Sequence, residues 1–300
     1  MSEINKRKQI EADLMLLFVT LSWGVSYITM DWALMEISPF TLNAYRFGGA
    51  FVIAILIGFK KLKGVNKKTI KYSFFIGTAL FVVYFGCTYG VLYTSLSNAG
   101  FLVALPVVTT PIIAYFFKGV KPDKKFKVVL CTSVIGIGLL TLNGKFQVAS
   151  GDLLCILAAV AYGVDLNITE TAVSHEDVDA FQLGVFQLGF TAIYCIAFSV
   201  FMGEFKIPTE PRVIASTIFL AIFCTGIAFI VQAIAQQYTT ASHVGVIFTL
   251  EPVFAGIVAF FVAGEVLTFK AYLGAIILVA SLFIMEIDFG KLKKKENTIK

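Results

Sequence analysis

Ten separate stretches of this chain are apolar for about twenty residues each, and that repetition limits what it can fold into. A hydrocarbon layer of about 30 Å is crossed by about 20 helical residues at about 1.5 Å each. The stretches run approximately over 13–35, 39–59, 71–93, 98–117, 126–143, 151–173, 180–203, 213–237, 241–263 and 268–287. They are continuous apolar runs, not short alternating segments, so helices are expected and a β-barrel is not. Composition removes the soluble alternative. The chain is 58% hydrophobic and 14% charged, against about 25% charged in ordinary globular proteins. The expected fold is all-α, a polytopic membrane protein with ten transmembrane helices.

The basic residues give an orientation. Ten spans put both termini on one side, and that side collects 19 lysines and arginines. The other side holds four, Lys145, Lys206, Arg212 and Lys270, with Arg46 inside a span. Such a bias over short loops marks the basic side as cytoplasmic. Both tails, 1–11 and 288–300, are therefore expected in the cytoplasm, and the protein in the plasma or inner membrane. The same bias accounts for the net charge of +5 with the lipid bilayer as partner and no nucleic acid. The first apolar stretch is too long for a cleavable signal and lacks a small-residue cleavage site. Cys87, Cys131, Cys155, Cys195 and Cys224 fall within spans without CxxC spacing, so they read as packing residues.

The chain also repeats itself. Laid without gaps, residues 93–119 match 238–264 at ten of 27 positions, among them Tyr93/Tyr238, Gly100/Gly245, Leu105/Leu250 and Gly119/Gly264. Residues 12–31 match 151–170 at Asp13/Asp152 and Gly24/Gly163, and 40–49 match 181–190, which sets Arg46 opposite Gln187. Two repeats follow, 12–143 and 151–287, of five spans each. Because five is odd, the second enters the membrane from the opposite side. Inverted repeats let one pattern adopt two mirror-related conformations, as alternating access requires.

From about residue 12 to 287 the chain resembles the drug/metabolite transporter superfamily, in its ten-helix EamA-like branch. The likeness rests on Trp23–Gly24, on Pro39 with Arg46, on LEPVFA in the ninth span, and on the following GEVLT with Gly274. It implies a carrier of small metabolites, commonly an exporter, with spans 1–4 and 6–9 around a central cavity and spans 5 and 10 peripheral. The first repeat departs from the pattern: Pro106 stands opposite Glu251, and Val120 opposite Glu265.

Polar groups inside the spans carry the functional reading. In VGVIFTLEPVFAGIVAFFVA (244–263) a carboxylate and a proline occupy a stretch otherwise suited to lipid. An ionised carboxylate at a helix centre costs about 2.5–3.5 kcal/mol on insertion scales, so Glu251 needs a reason. It either binds substrate or couples protons beside a wet cavity, or it clamps carbonyls freed by Pro252. Pro252 in the ninth span, with Pro106 and Pro111 in the fourth, interrupts helices at nearby places in the two repeats, a pointer to a transporter's site. Asp165 is a second buried acid, sharing a helical face with Tyr162 and Thr169. The polar stretch DLNITET (165–171) around it points to local unwinding or to the inner membrane edge. Arg46 can snorkel to the outer edge, pair with Asp31, or meet a substrate anion. Trp23, Tyr84 and Tyr162, with Tyr45 and Tyr89, can line a pocket for flat or cationic substrates; Gln187 joins them as the counterpart of Arg46. Asp13 and Asp152 read as N-terminal caps, and Glu265 as a cap at the outer end of the ninth span. His175 and His243 are separated with no third ligand, so no metal is expected.

These readings converge on a secondary active transporter that moves a small amphipathic metabolite or drug-like molecule by alternating access. Export is favoured over import or exchange, and protons are the candidate coupling partner through Glu251 or Asp165. The sequence holds no GxxxxGK[ST], so neither ATP nor another cofactor is called for. An intramembrane enzyme lacks a nucleophile–base set, and a channel would build rings of like residues from several subunits. Two fused repeats remove the obvious need for a dimer.

Overall fold

The computed structural model describes residues 3–94, 101–142, 149–264 and 268–286, and every regular element among them is helical. The first half contributes α1 (Glu3–Leu34), α2 (Pro39–Gly58), α3 (Lys67–Leu92), α4 (Pro106–Lys118) and α5 (Lys124–Thr141). The second contributes α6 (Ser150–Val173), α7 (Ala180–Phe201), α8 (Pro211–Ala221), α9 (Ala228–Ala235), α10 (Ala241–Phe248), α11 (Glu251–Ala263) and α12 (Phe269–Glu286). A π-helical turn over Ile222–Ile227 joins α8 to α9. Among the described residues, eight helical segments are long and apolar enough to cross a membrane. The count of ten is not reached because α12 has a shorter apolar run, Phe269–Met285, and α5 opens on Lys124, Lys125 and Lys127.

Local chemistry sets the helix starts. Ser38, Asn66, Asp123, Asp179 and Thr240 each accept the backbone N–H three residues on, which satisfies a donor the first turn leaves orphaned. Asp152 does related work in the first turn of α6, its Oδ2 accepting from the Ala149 N–H at 2.8 Å. Asp13 does not: α1 begins at Glu3, so Asp13 lies well inside it. The expected unwinding at 165–171 is also absent, because α6 stays helical through Val173. Glu265 and the tail 288–300 lie outside the described residues.

The packing shows the repeat. The contact of α3 with α6 has its counterpart in α8 and α9 against α1, and α4 against α6 is matched by α11 against α1. α5 and α12 pack on each other. Close approach recurs at one matched pair of glycines. A Cβ on Gly24 would lie 2.6 Å from Phe254 Cβ, and one on Gly163 would lie 2.7 Å from Thr109 Oγ1; Phe254 and Thr109 are themselves repeat partners. Large apolar side chains such as Leu56, Phe117, Phe201 and Phe261 stay more than 70% exposed. Such a surface requires lipid, and the protein is a multi-pass membrane protein.

Both ends of the bundle are tied across the repeats. At the end where α1 starts, Lys68 pairs with Asp177 at 2.9 Å and Lys118 pairs with Glu170. At the opposite, distal end, Glu36 in the α1–α2 turn accepts from the N–H groups of Thr209 and Glu210 and from the Thr209 hydroxyl at 2.8–3.0 Å. Beside it the Arg212 guanidinium lies 4.1 Å over the Trp32 ring.

Two predictions follow from these contacts. Gly24→Val and Gly163→Val should each cost about 1–3 kcal/mol by overpacking, read as a lower thermal midpoint of the solubilised protein. Gly48→Ala, whose Cβ would meet nothing nearer than 3.8 Å, is the neutral control. The Glu210 N–H and the Thr209 hydroxyl lower the Glu36 carboxyl from 4.5 to about 2. A folded value below the unfolded one gives stability present above the unfolded value and lost as pH falls through the folded one. Hydrogen exchange of the Thr209 and Glu210 amides should therefore gain protection from Glu36 above about pH 4.5 and lose it toward about pH 2. In Glu36→Gln that pH dependence should vanish.

Candidate functional site

The two repeats break at the same place. Leu105 (φ −70°, ψ 0°) precedes α4, and its repeat partner Leu250 (φ −80°, ψ −9°) precedes α11. Pro106 and Pro252 occupy the first positions of the restarted helices, where a missing N–H costs nothing. Pro111 does not break its helix, contrary to the sequence expectation; α4 runs through it to Lys118. It is the sixth residue of α4, past the first-turn N–H groups, and the helix continues although the bond to the Val107 carbonyl is forgone.

At the second break Glu251 opens α11, so a carboxylate sits at a helix N-terminus, the end that favours negative charge. Its Oε1 accepts from the Tyr27 hydroxyl at 2.9 Å. Tyr27 is 48% exposed, and Glu251 and Tyr84 also keep accessible surface. Tyr27 reaches Glu251 because it follows Trp23 by one helical turn on α1.

Arg46 of α2 is buried and neither snorkels nor meets Asp31, which is exposed. Nε donates to Thr225 Oγ1 at 3.1 Å, one terminal nitrogen to Met30 Sδ at 3.3 Å, and the other to the Tyr84 hydroxyl at 3.5 Å. The guanidinium also lies 5.3 Å from the Tyr84 ring centre. Thr225 belongs to the π-helical turn. Such turns shift the backbone register and recur at functional sites. Here the turn is held to α1 as well: the Trp23 indole N–H donates to the Cys224 carbonyl at 2.9 Å, and Cys224 Sγ donates to the Ser22 carbonyl.

Aromatic rings join these groups into one core. Trp23 meets Phe248 at 4.7 Å, Phe229 at 5.6 Å and its repeat counterpart Tyr162 at 6.3 Å between ring centres. Phe47 links Phe229 to Tyr84. Tyr162 donates to Gln232 Oε1 at 3.1 Å, and Gln232 Nε2 donates to Asp165 Oδ1 at 3.4 Å. Asp165 is 1% exposed, and its Oδ2 has no hydrogen-bond partner. Gln187 does not reproduce Arg46; it donates to the Phe229 carbonyl at 3.3 Å. Tyr45 packs at the edge of the core and against Phe205, and Tyr89 packs with Phe40 and Phe85. The structure thus brings Arg46, Tyr84, Trp23, Tyr162 and Asp165 into one chain of contacts and makes Gln187 a backbone tie. Sequence reasoning missed Tyr27, Met30, Thr225 and Gln232.

The repeat-related aspartates make contacts at the two ends of the core. Asp13 Oδ1 lies 3.2 Å from His243 Nε2 where α1 enters the bundle. Its repeat partner Asp152 accepts from the Thr94 hydroxyl at 2.5 Å at the distal end. Each contact joins the first helix of one repeat to the segment leading into a broken helix.

Comparison with known proteins agrees with this architecture. The pattern of the EamA-like transporter family matches residues 10–142 and again 149–287. A protein named as an uncharacterized transporter of Archaeoglobus fulgidus is 33% identical over 283 residues, covering 93% of this chain and 87% of its own length. A second from the same organism is 26% identical over 90% of this chain and 96% of its own. The uncharacterized transporter YoaV of Bacillus subtilis is 22% identical over 92% and 96%. A solved crystal structure superposes with a TM-score of 0.78 at 18% identity, over 92% of this chain and 96% of that one, a likeness of fold. Two matched repeats and a relative at 33% identity across nearly the whole chain settle the kinship: the chain belongs to the EamA-like transporter family.

Proposed function

We propose that this protein is a secondary active transporter of ten spans, with both termini in the cytoplasm of a plasma or inner membrane. It exports a small amphipathic metabolite by alternating access, coupled to protons. The observation that carries the reading is the pair of breaks at Leu105 and Leu250, with Glu251 opening the second restarted helix. Broken helices at corresponding positions of inverted repeats are how transporters build a midplane site.

Alternating access needs an end that opens while the other stays shut. The contacts of the repeat-related Asp13 and Asp152, with His243 and Thr94, supply one closure at each end. Glu251 and Asp165 are the carboxyls placed to carry a proton: one faces accessible space against Tyr27, the other keeps an unbonded oxygen beside Gln232. An importer or exchanger with the same site is the second reading, and vesicle orientation separates them.

The test is uptake into inside-out vesicles of a broad labelled metabolite panel by wild type, Glu251→Gln and Asp165→Asn. Wild type should accumulate one compound, and a proton uncoupler should abolish the accumulation. At least one of the two variants should retain exchange while losing about tenfold or more of net uptake. Variants equal to wild type at equal expression would remove both carboxyls from the mechanism, and accumulation only in right-side-out vesicles would make the protein an importer.

A further inference from the structure

One charged group in the core is served only by neutral partners. Arg46 is 2% exposed and is the only lysine or arginine among the buried residues described. A buried charge is ordinarily paired, yet none of the ion pairs among the described residues includes Arg46. Its five N–H donors meet three acceptors: the Thr225 hydroxyl, the Tyr84 hydroxyl and the Met30 sulfur. One N–H on each terminal nitrogen is left over, on a guanidinium whose terminal nitrogens can present a planar fork to a carboxylate. Met30 holds its place weakly, since a thioether is a poor acceptor on a flexible side chain.

We propose that Arg46 is an anion subsite and that the transported molecule is a small organic monocarboxylate, gripped by this fork; the assignment rests on the transport reading above. Tyr84 and Met30, the partners of the terminal nitrogens, both retain accessible surface, so the guanidinium lies one side chain in from accessible surface. A single guanidinium, with no second buried lysine or arginine among the described residues, suits one negative charge. Thr225 and Tyr84 act as positioning residues that fix the plane of the fork.

Thermal stabilisation of the purified full-length protein tests this, with butyrate, hexanoate, benzoate and phenylacetate as probes, each beside its primary amide, and with inorganic phosphate. At least one acid should stabilise wild type where its amide does not. Its apparent affinity should fall about tenfold or more in Arg46→Gln. Arg46→Lys should fall between, keeping the charge and losing the fork. The proposal is overturned by no response to any acid, by equal responses to acid and amide, by equal response to phosphate, or by a response unchanged in Arg46→Gln. Should Arg46→Gln fail to fold, the acid–amide contrast in wild type together with Arg46→Lys decides. Counterflow in proteoliposomes separates the two readings. Carboxylate binding without counterflow sinks the transport reading alone. Saturable counterflow of a neutral compound, indifferent to Arg46→Gln, sinks this one alone.

Discussion

A backbone inside hydrocarbon has to satisfy its own hydrogen bonds, because no water is there to do it. Most of this chain complies by staying helical. It departs from regular α-helix deep in the bundle at Leu105, at Leu250 and through the π-helical turn Ile222–Ile227. Irregular backbone at that depth survives only where protein or a wet cavity supplies partners. The side chains drawn to these places, Glu251 at one and Arg46 and Trp23 at another, are the polar groups that an apolar span would otherwise exclude. The site follows from where the backbone rule is relaxed.

The duplication was legible because it leaves marks at fixed offsets: Leu105 over Leu250, Gly24 over Gly163, and Gly119 over Gly264, which both take positive φ at helix ends. Breaks were legible at Pro106 and Pro252, since proline removes a donor wherever it stands. Pro111 shows the limit of that signal: it forgoes an interior bond of α4, and the helix runs through it to Lys118. Asp13 shows another: a short acidic residue before an apolar run reads as a cap, but the helix extends back over polar residues to Glu3, and Asp13 faces His243 instead.

What sequence could not disclose are meetings across long separations. Trp23 and Cys224, Arg46 and Thr225, and Tyr27 and Glu251 each join residues from opposite halves. No spacing rule links them. Their periodicity is identical to that of packing residues, and only the tertiary arrangement of α1, α2, α11 and the π-helical turn selects them. Arg46 is the clearest case: as a sequence letter it has three possible fates, and the structure removes two by burying it away from Asp31.

The ties around the π-helical turn also say something about mechanics. Trp23, Arg46 and the Glu36 turn fasten α1 and α2 to α8 and the turn that follows it, and α11 packs on α1. On the other side α3 packs with α6 and α7, and α4 with α6. The most extensive packed faces, α3 on α6, α5 on α12, α2 on α7 and α3 on α7, each pair a helix of one sequence half with a helix of the other. The unit that was duplicated is therefore not the unit that packs. Neither half of the chain, folded alone, would bury these faces.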